Sequence, residues 1–567
     1  MTHPPARAPV VCEVSLRARL VVGEPFFDHG VPLTLGRVGT VDAAAGDLVA
    51  VEVTGPGRGL VVERLGAVTD VSAVLHGLAV EAGVAAPWPD AVVAEAAALP
   101  AEPDAAGDGR TDLRHLLAFT IDPEDARDHD DALSVDGERL LVHIADIAAF
   151  VRESSAIEAE AALRATSVYL PGRVEPMLSE RLSSDLCSLR PGRDRLALTV
   201  AVGGDGPLEA FRSVIRSDHR LTYDQAADML ATGAGPAELV AALRRLHGFA
   251  AARQAARLAR GGVAVDASER SFRIESGAVA DGGTRESGPA HLLVEELMLA
   301  ANEAVAAELA GAGAAVPFRV HEPPERDALD ALVERLAALS VPTPPFPDVM
   351  PPSAAAAYAG ALSQAVTGYA KTAGRGRAAF GGMVLRALRK ARYDTRNLGH
   401  AGLASPAYCH FTSPIRRHPD LMVHRALLRR LGLDRSPPPA PAAVAAQAEH
   451  DSRAEREAEA LERRADDICA AFLLEHVLYE RGWDEKFPGE VVGLIPSGAF
   501  VRFGGLFEGL LPGRSWAGEH VSLDPLGVAL IAERSGRRLR LGDAVEVSVR
   551  AVDRVTGKVR IRAAHGD

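Results

Sequence analysis

Apolar and polar residues alternate with a period near two in VPLTLGRVGTV (31–41) and GDLVAVEVTGPGRGLVVERLG (46–66), and Gly and Pro break the runs. Alternation of that kind sends successive side chains to opposite faces of a strand, so residues 1–85 are predicted to form a small antiparallel β-barrel. An alanine-rich helical stretch, DAVVAEAAAL, and a polar loop then form a connection over 86–111. From 112 to 435, strands such as LALTVAVGG alternate with long amphipathic stretches such as HLLVEELMLAANEAVAAELA, which predicts one large mixed α/β domain. SPPPAPA (436–442) cannot continue a helix and marks a bend before a charged helix that closes this domain by 482. In 483–567 short strands broken at Gly, with a turn at Thr556–Gly557, suit a five-stranded OB barrel. Phe500, Phe503 and Phe507 would present rings among basic side chains there, the arrangement by which such barrels stack bases and neutralise phosphates. The fold class expected is therefore multidomain α+β.

Composition narrows the picture. At 567 residues the chain is too long for one core, and 47% apolar with 24% charged residues is ordinary for globular proteins. No stretch of about 18 uncharged apolar residues is present, and the opening MTHPPARAPVVCEVSL reads as lacking an export signal. Cys12, Cys187, Cys409 and Cys469 are scattered, with neither a CxxC pair for zinc nor a disulfide framework. A cytoplasmic location with reduced thiols, no membrane contact and a monomeric state is expected. The net charge of −14 would repel a polyanion, but within 486–567 there are 12 Lys and Arg against 9 Asp and Glu. Basic character is regional, and phosphate binding depends on local concentration of cations.

Asp122, Asp128, Asp130 and Asp131 fall within ten residues, between the apolar runs LLAFTI and ALSV. Most acidic clusters are solvated surface loops. Here the flanking β runs would carry the acids inward, where unpaired carboxylates are costly, and only Arg127 and His129 offset them locally. An all-oxygen set without Cys suits Mg²⁺, with Mn²⁺ as a substitute. Two such ions can activate a water and stabilise the leaving oxygen of a phosphodiester.

The run IDPEDARDHDDALSV followed by VHIADI resembles the signature of the ribonuclease II (RNB) catalytic domain. The resemblance continues through SVYLPGRVEPMLSERLSSDLCSLRPG, LLVEELMLAAN and NLGHAGLASPAYCHFTSPIRRHPDLMVHR, over about 450 residues. The terminal barrel is similar to the S1-type RNA-binding domain, with Gly489, Val491, Gly498, Phe500, Val501, Gly509 and Leu510 in step. The resemblance implies hydrolytic, processive 3′-to-5′ digestion of single-stranded RNA to nucleoside 5′-monophosphates through two metal ions. It assigns Asp122, Asp128, Asp130 and Asp131 to the metals, with Asp130 and Asp128 closest to the chemistry. Arg416 is assigned to the scissile phosphate, and Arg417 would be a supporting cation that also contacts the RNA. Tyr169 would stack on the terminal base, Glu295, or Glu296 after a one-residue slip, would contact the terminal ribose, and Phe500 and Phe503 would bind RNA.

Three positions depart from the family pattern. His129 replaces Phe or Leu, His418 replaces Tyr, and Val265 falls where a second stacking aromatic is common, with Phe272 a possible substitute. The resemblance implies that the front barrel, 1–85, is OB-like and of the cold-shock type, with room for one such barrel instead of two, and no lysine-rich tail follows Asp567. Two other readings stand beside this one: a catalytically idle protein that holds RNA 3′ ends, and an HD-type metal phosphohydrolase suggested by His129–Asp130. The latter needs further His and Asp ligands on helices.

Overall fold

The computed structural model describes residues 9–18, 20–36, 43–103, 109–203, 207–264, 269–285 and 287–564. Five strands, Val10–Arg17, Leu20–Pro25, Leu33–Gly36, Asp47–Gly55 and Arg58–Ala67, close into a barrel in the order first, second, third, fifth, fourth. Its interior holds alternate side chains of the strands: Cys12, Val14, Leu33, Leu35, Val49 and Val51. A Cβ on Gly59 would lie 2.2 Å from the Val51 side chain, so only glycine lets these strands approach. The helix Val71–Glu81 follows, started by Asp70, whose carboxylate accepts the Ser72 and Ala73 N–H groups.

The central domain is built on strands Ala118–Asp122, Asp131–Asp136, Arg139–Ala145, Asp194–Val202 and Ala210–Thr222. Each pairs with two of the others, because the long strand Ala210–Thr222 binds Asp194–Val202 with its first half and Ala118–Asp122 with its second. Helices Tyr223–Thr232, Ala237–Ala259 and Pro289–Gly311 bury their apolar stripes against one face, around Phe119, Ile144, Leu198, Leu243, Leu293 and Leu297. Helix Pro289–Gly311 contains the apolar stretch read from sequence. Residues 436–440 lie outside any helix, and the charged segment forms one helix of 41 residues, Pro441–Arg481, about 60 Å long at 1.5 Å per residue. Its buried positions Leu461, Ile468 and Leu474 share a core with Val74 from the front unit and Phe487 and Val491 from the rear barrel. This helix thus ties the three units together.

The rear barrel consists of Lys486–Ile495, Gly498–Phe503, Phe507–Pro512, Ala544–Asp553 and Lys558–Ala563, closed in the same order as the front one. At Gly498 a Cβ would stand 2.3 Å from the Leu511 carbonyl oxygen, which accounts for the glycine physically. Between its third and fourth strands lie a short helix, Gly513–Ala517, and a three-stranded sheet, Val521–Leu523, Ala529–Ala532 and Arg538–Arg540, which the periodicity did not reveal.

Two of the three barrel aromatics expected to meet RNA are instead interior. Phe503 is 1% exposed and Phe507 6%, and with Phe487 they form the barrel core, at ring separations of 5.6 to 6.5 Å. Phe500, at 36%, faces outward beside Arg502. On a strand, positions three apart occupy opposite faces, so Phe500 and Phe503 could never have shared one.

Candidate active site

Asp122 ends the strand Ala118–Asp122, Asp131 begins the next, and the loop between them carries Asp128 and Asp130. Asp122 and Asp130 are 9% and 4% exposed, while Asp128 and Asp131 are half-buried. Asp130 Oδ1 accepts the Ile415 N–H at 2.8 Å, and its Oδ2 stands 3.5 Å from Arg416 Nε without a hydrogen bond. Asp122 Oδ2 lies 2.9 Å from His129 Nδ1, yet neither atom has a partner in hydrogen-bonding alignment. Burial raises the Asp130 carboxyl pKa well above its ordinary value, against the opposing pull of Arg416. Burial, and then the charge of Asp122, raises that of Asp131 to about 7.

Tyr169 sits on the hairpin Val168–Leu170/Arg173–Glu175 and is 37% exposed. Its hydroxyl donates to Asp128 Oδ2 at 2.6 Å, and its backbone N–H donates to Glu462 of the long helix at 2.8 Å. Arg416 leaves 42% of its side chain open and donates to Ser413 Oγ at 3.0 Å. Its carbonyl accepts from the Ser167 N–H at 3.0 Å and from the Thr166 hydroxyl at 3.2 Å, lacing together loops 250 positions apart. Acids, guanidinium and ring therefore meet through backbone hydrogen bonds.

Arg417 is placed differently from its expected role as an RNA-contacting cation. Its guanidinium forks onto buried Asp420 at 2.8 and 2.9 Å, and Asp420 also accepts the Ser413 N–H at 2.8 Å. Its charge is taken up in bracing the turn that presents Arg416. Glu295 is half open and 3.3 Å from Arg257, whereas Glu296 is fully buried and paired with Arg257 at 2.6 Å. Among the described residues no hydrogen bond or ion pair joins either to the acid cluster. Val265 lies outside the described residues, and Phe272 packs against the shared core.

The structure adds residues that pattern reading missed. The ring of Tyr223 stacks on His291 with centroids 4.0 Å apart, and burial together with Asp131 and Asp122 raises its hydroxyl pKa. Tyr223 follows Thr222, which is in register with Asp122, so only the long-range parallel pairing could have revealed its place. His418 is buried, with Nε2 3.1 Å from Glu158 and Nδ1 3.6 Å from Asp451, the latter too long for a hydrogen bond. Burial alone would lower its pKa, but the two acids raise it to about 9. Arg425 completes the network by forking onto Glu158. A group whose pKa is raised on folding stabilises below its unfolded value, near 6.5, and loses that contribution as pH climbs through about 9. Denaturant unfolding across that window should show wild type losing stability that a His418→Gln variant never had. Parallel pH curves would return His418 to a neutral packing role.

As placed, no three His, Cys, Asp or Glu side chains among the described residues converge in ligating geometry. The set nevertheless fits a hard cation. Its donors are all carboxylate oxygens, two of them buried without a hydrogen-bond partner, and two of the four acids have pKa values raised by uncompensated burial.

The RNB domain family matches residues 110–432. Ribonuclease R of Escherichia coli (strain K12) is 35% identical over 502 residues, covering 82% of this chain and 59% of the relative. Ribonuclease R of Aquifex aeolicus (strain VF5) is 33% identical over 540 residues, covering 91% and 74% respectively. Ribonuclease R 1 of Lactococcus lactis is 32% identical over 527 residues, covering 88% and 62%. The chain thus spans between 59% and 74% of the length of these relatives. Mycoplasma genitalium RNase R, solved with ribose-methylated single-stranded RNA, superposes with a TM-score of 0.84 at 24% identity, covering 98% of this chain and 90% of that one. Yeast Ssd1, described as a pseudonuclease, reaches 0.70 at 14% identity, covering 99% and 83%. At these identities the structures establish the fold alone.

Proposed function

The chain belongs to the RNB domain family, and from that premise we propose that it is a hydrolytic exoribonuclease. It digests single-stranded RNA processively from the 3′ end and releases nucleoside 5′-monophosphates. Because a pseudonuclease shares the fold, the fold cannot carry this reading. What carries it is the intact set of four acids, with Asp130 Oδ2 3.5 Å from Arg416 and two carboxylate oxygens left without partners. Nothing in that set is spent on structure alone, which disfavours the idle 3′-end-binding reading. The HD-type alternative fails because, among the described residues, His129 is the single imidazole within ion-pair distance of these four acids.

Asp122, Asp128, Asp130 and Asp131 would hold Mg²⁺, or Mn²⁺ in its place, as a pair of ions. Such ions supply an activated water and charge neutralisation at the leaving oxygen. The chain's own groups do the positioning. Arg416, held by Ser413 Oγ and the Asp420-braced turn, presents N–H donors to the charge that builds on the phosphate. Tyr169 offers its exposed ring to the terminal base while its hydroxyl fixes Asp128. Burial of Asp122 and Asp130 excludes bulk water, so these charges act in a low dielectric. The enzyme acts as a monomer in the cytoplasm, consistent with four buried cysteines in thiol form.

A 5′-labelled single-stranded RNA incubated with Mg²⁺ should yield a ladder that shortens from the 3′ end. A persistent shifted band of full-length RNA would favour the idle reading. In the same assay Tyr169→Ala should slow digestion and lengthen the limit product, because it removes one base–aromatic stack of roughly 1–3 kcal/mol where short products have little else to hold them. Unchanged end products would remove Tyr169 from the 3′ terminus.

A further inference from the structure

His129, one of the three departures from the family pattern, stands between Asp128 and Asp130 where Phe or Leu is usual. The residue is 5% exposed, and its Nδ1 is enclosed with no hydrogen-bond partner. Its backbone is held on both sides. The N–H donates to Ser188 Oγ at 3.0 Å, and the carbonyl accepts the Leu189 N–H at 2.9 Å. Ser188 Oγ in turn donates to the Arg127 carbonyl at 2.8 Å. A pinned turn, not a free loop, therefore presents the imidazole to the acids.

Nδ1 lies 2.9 Å from Asp122 Oδ2, a carboxylate oxygen that is itself enclosed and unpartnered. At that separation a ring N–H directed at the oxygen would make a hydrogen bond, but the two atoms are not aligned for one. Two enclosed polar atoms in contact that do not bond to each other are costly unless a third group meets both. Donors at adjacent corners of an octahedral cation, each bonded at about 2.1 Å, stand about 3 Å apart. The observed 2.9 Å matches that spacing. An imidazole beside a carboxylate also changes which cation is preferred. Mg²⁺ favours oxygen donors throughout, whereas first-row transition ions accept imidazole readily. Two protein donors leave coordination positions open for water and a phosphate oxygen.

We propose that His129 Nδ1 and Asp122 Oδ2 are joint ligands of one metal ion, and that this nitrogen donor tunes the site toward a first-row divalent cation, Mn²⁺ before Mg²⁺. The proposal rests on the reading of the four acids as the metal set of an exoribonuclease, and its test separates the two. Full-length protein loaded with Mn²⁺ is read by pulsed electron paramagnetic resonance, which detects a nitrogen bound to the ion without any turnover. Wild type should show imidazole nitrogen coupling that shifts when its histidines carry the heavy nitrogen isotope. His129→Phe should lose the coupling and bind Mn²⁺ at least about tenfold more weakly, with Mg²⁺ affinity by calorimetry changed less than about threefold. Asp122→Ala should lose the coupling as well, and its persistence there would place the nitrogen at another histidine and overturn the proposal. The labelled wild type carries the test even where a variant is unstable. Mn²⁺ bound to wild type without nitrogen coupling, or the same preference between the two metals in wild type and His129→Phe, would overturn the role of His129 while leaving the nuclease reading intact. Coupling in a wild type that cleaves RNA with neither metal would instead overturn the nuclease reading.

Discussion

Asp130→Asn is expected to abolish cleavage, by at least about a thousandfold, while leaving the fold intact and RNA affinity within about tenfold. The environment of the carboxyl is the reason. Asp130 is 4% exposed, its pKa is raised well above the ordinary range, and Oδ1 accepts the Ile415 N–H at 2.8 Å. A neutral, isosteric amide keeps that acceptor and suits the dry surroundings at least as well as the ionised acid, so folding should be unharmed or improved. What disappears is the charge that Oδ2 can offer a cation, and with it the metal-supported attack on the phosphodiester. The groups that grip phosphates elsewhere are untouched, so binding persists. Three measurements decide the matter: thermal unfolding, RNA affinity and single-turnover cleavage. Wild-type-like turnover by a folded Asp130→Asn variant would remove Asp130 from the chemistry. Loss of folding together with activity would make its role structural.

Much of this site was legible in the sequence because its signals are local. Four acids between two apolar β runs had to be carried inward, and the structure buries Asp122 and Asp130. The fold class was legible for the same reason: period-two alternation with Gly breaks marked both barrels, and the long amphipathic stretches marked helices Pro289–Gly311 and Pro441–Arg481. What was not legible depends on pairings between distant residues. Alternation says that two faces exist but not which is inside, so Phe503 was placed outside when its strand register turns it into the core. Arg416 and Arg417 are neighbours in sequence, and only Asp420, one helical turn on, takes up the charge of Arg417 while Arg416 stays open. The hydroxyl of Tyr169 reaching Asp128, and Tyr223 beside Asp122, arise from pairings across 41 and 100 positions.

Arg416→Ala should slow cleavage by about a hundredfold or more, the scale on which one preorganised charge stabiliser acts. The side chain is placed for this by groups that leave its function open. Ser413 Oγ holds one nitrogen at 3.0 Å, the backbone carbonyl is pinned by Ser167 and Thr166, and 42% of the side chain remains accessible. Its nearest carboxylate atom, Asp130 Oδ2, is at 3.5 Å without a hydrogen bond, so the pair is not a closed structural bridge. The guanidinium fork matches phosphate oxygens, so the deficit should fall mainly on the chemical step, with ground-state binding changed less. Arg416→Lys restores charge but not the fork and should recover only part of the rate. The pH profile offers a second readout. Arg416 holds the Asp130 pKa down against burial, so its removal should raise that pKa further and shift the acid limb of the rate profile to higher pH. A purely structural arginine would lower activity in proportion to lost folded protein and leave that limb unmoved. A rate change below about threefold with an unshifted limb would therefore assign Arg416 to holding the turn, and phosphate recognition would have to be sought elsewhere in the pocket.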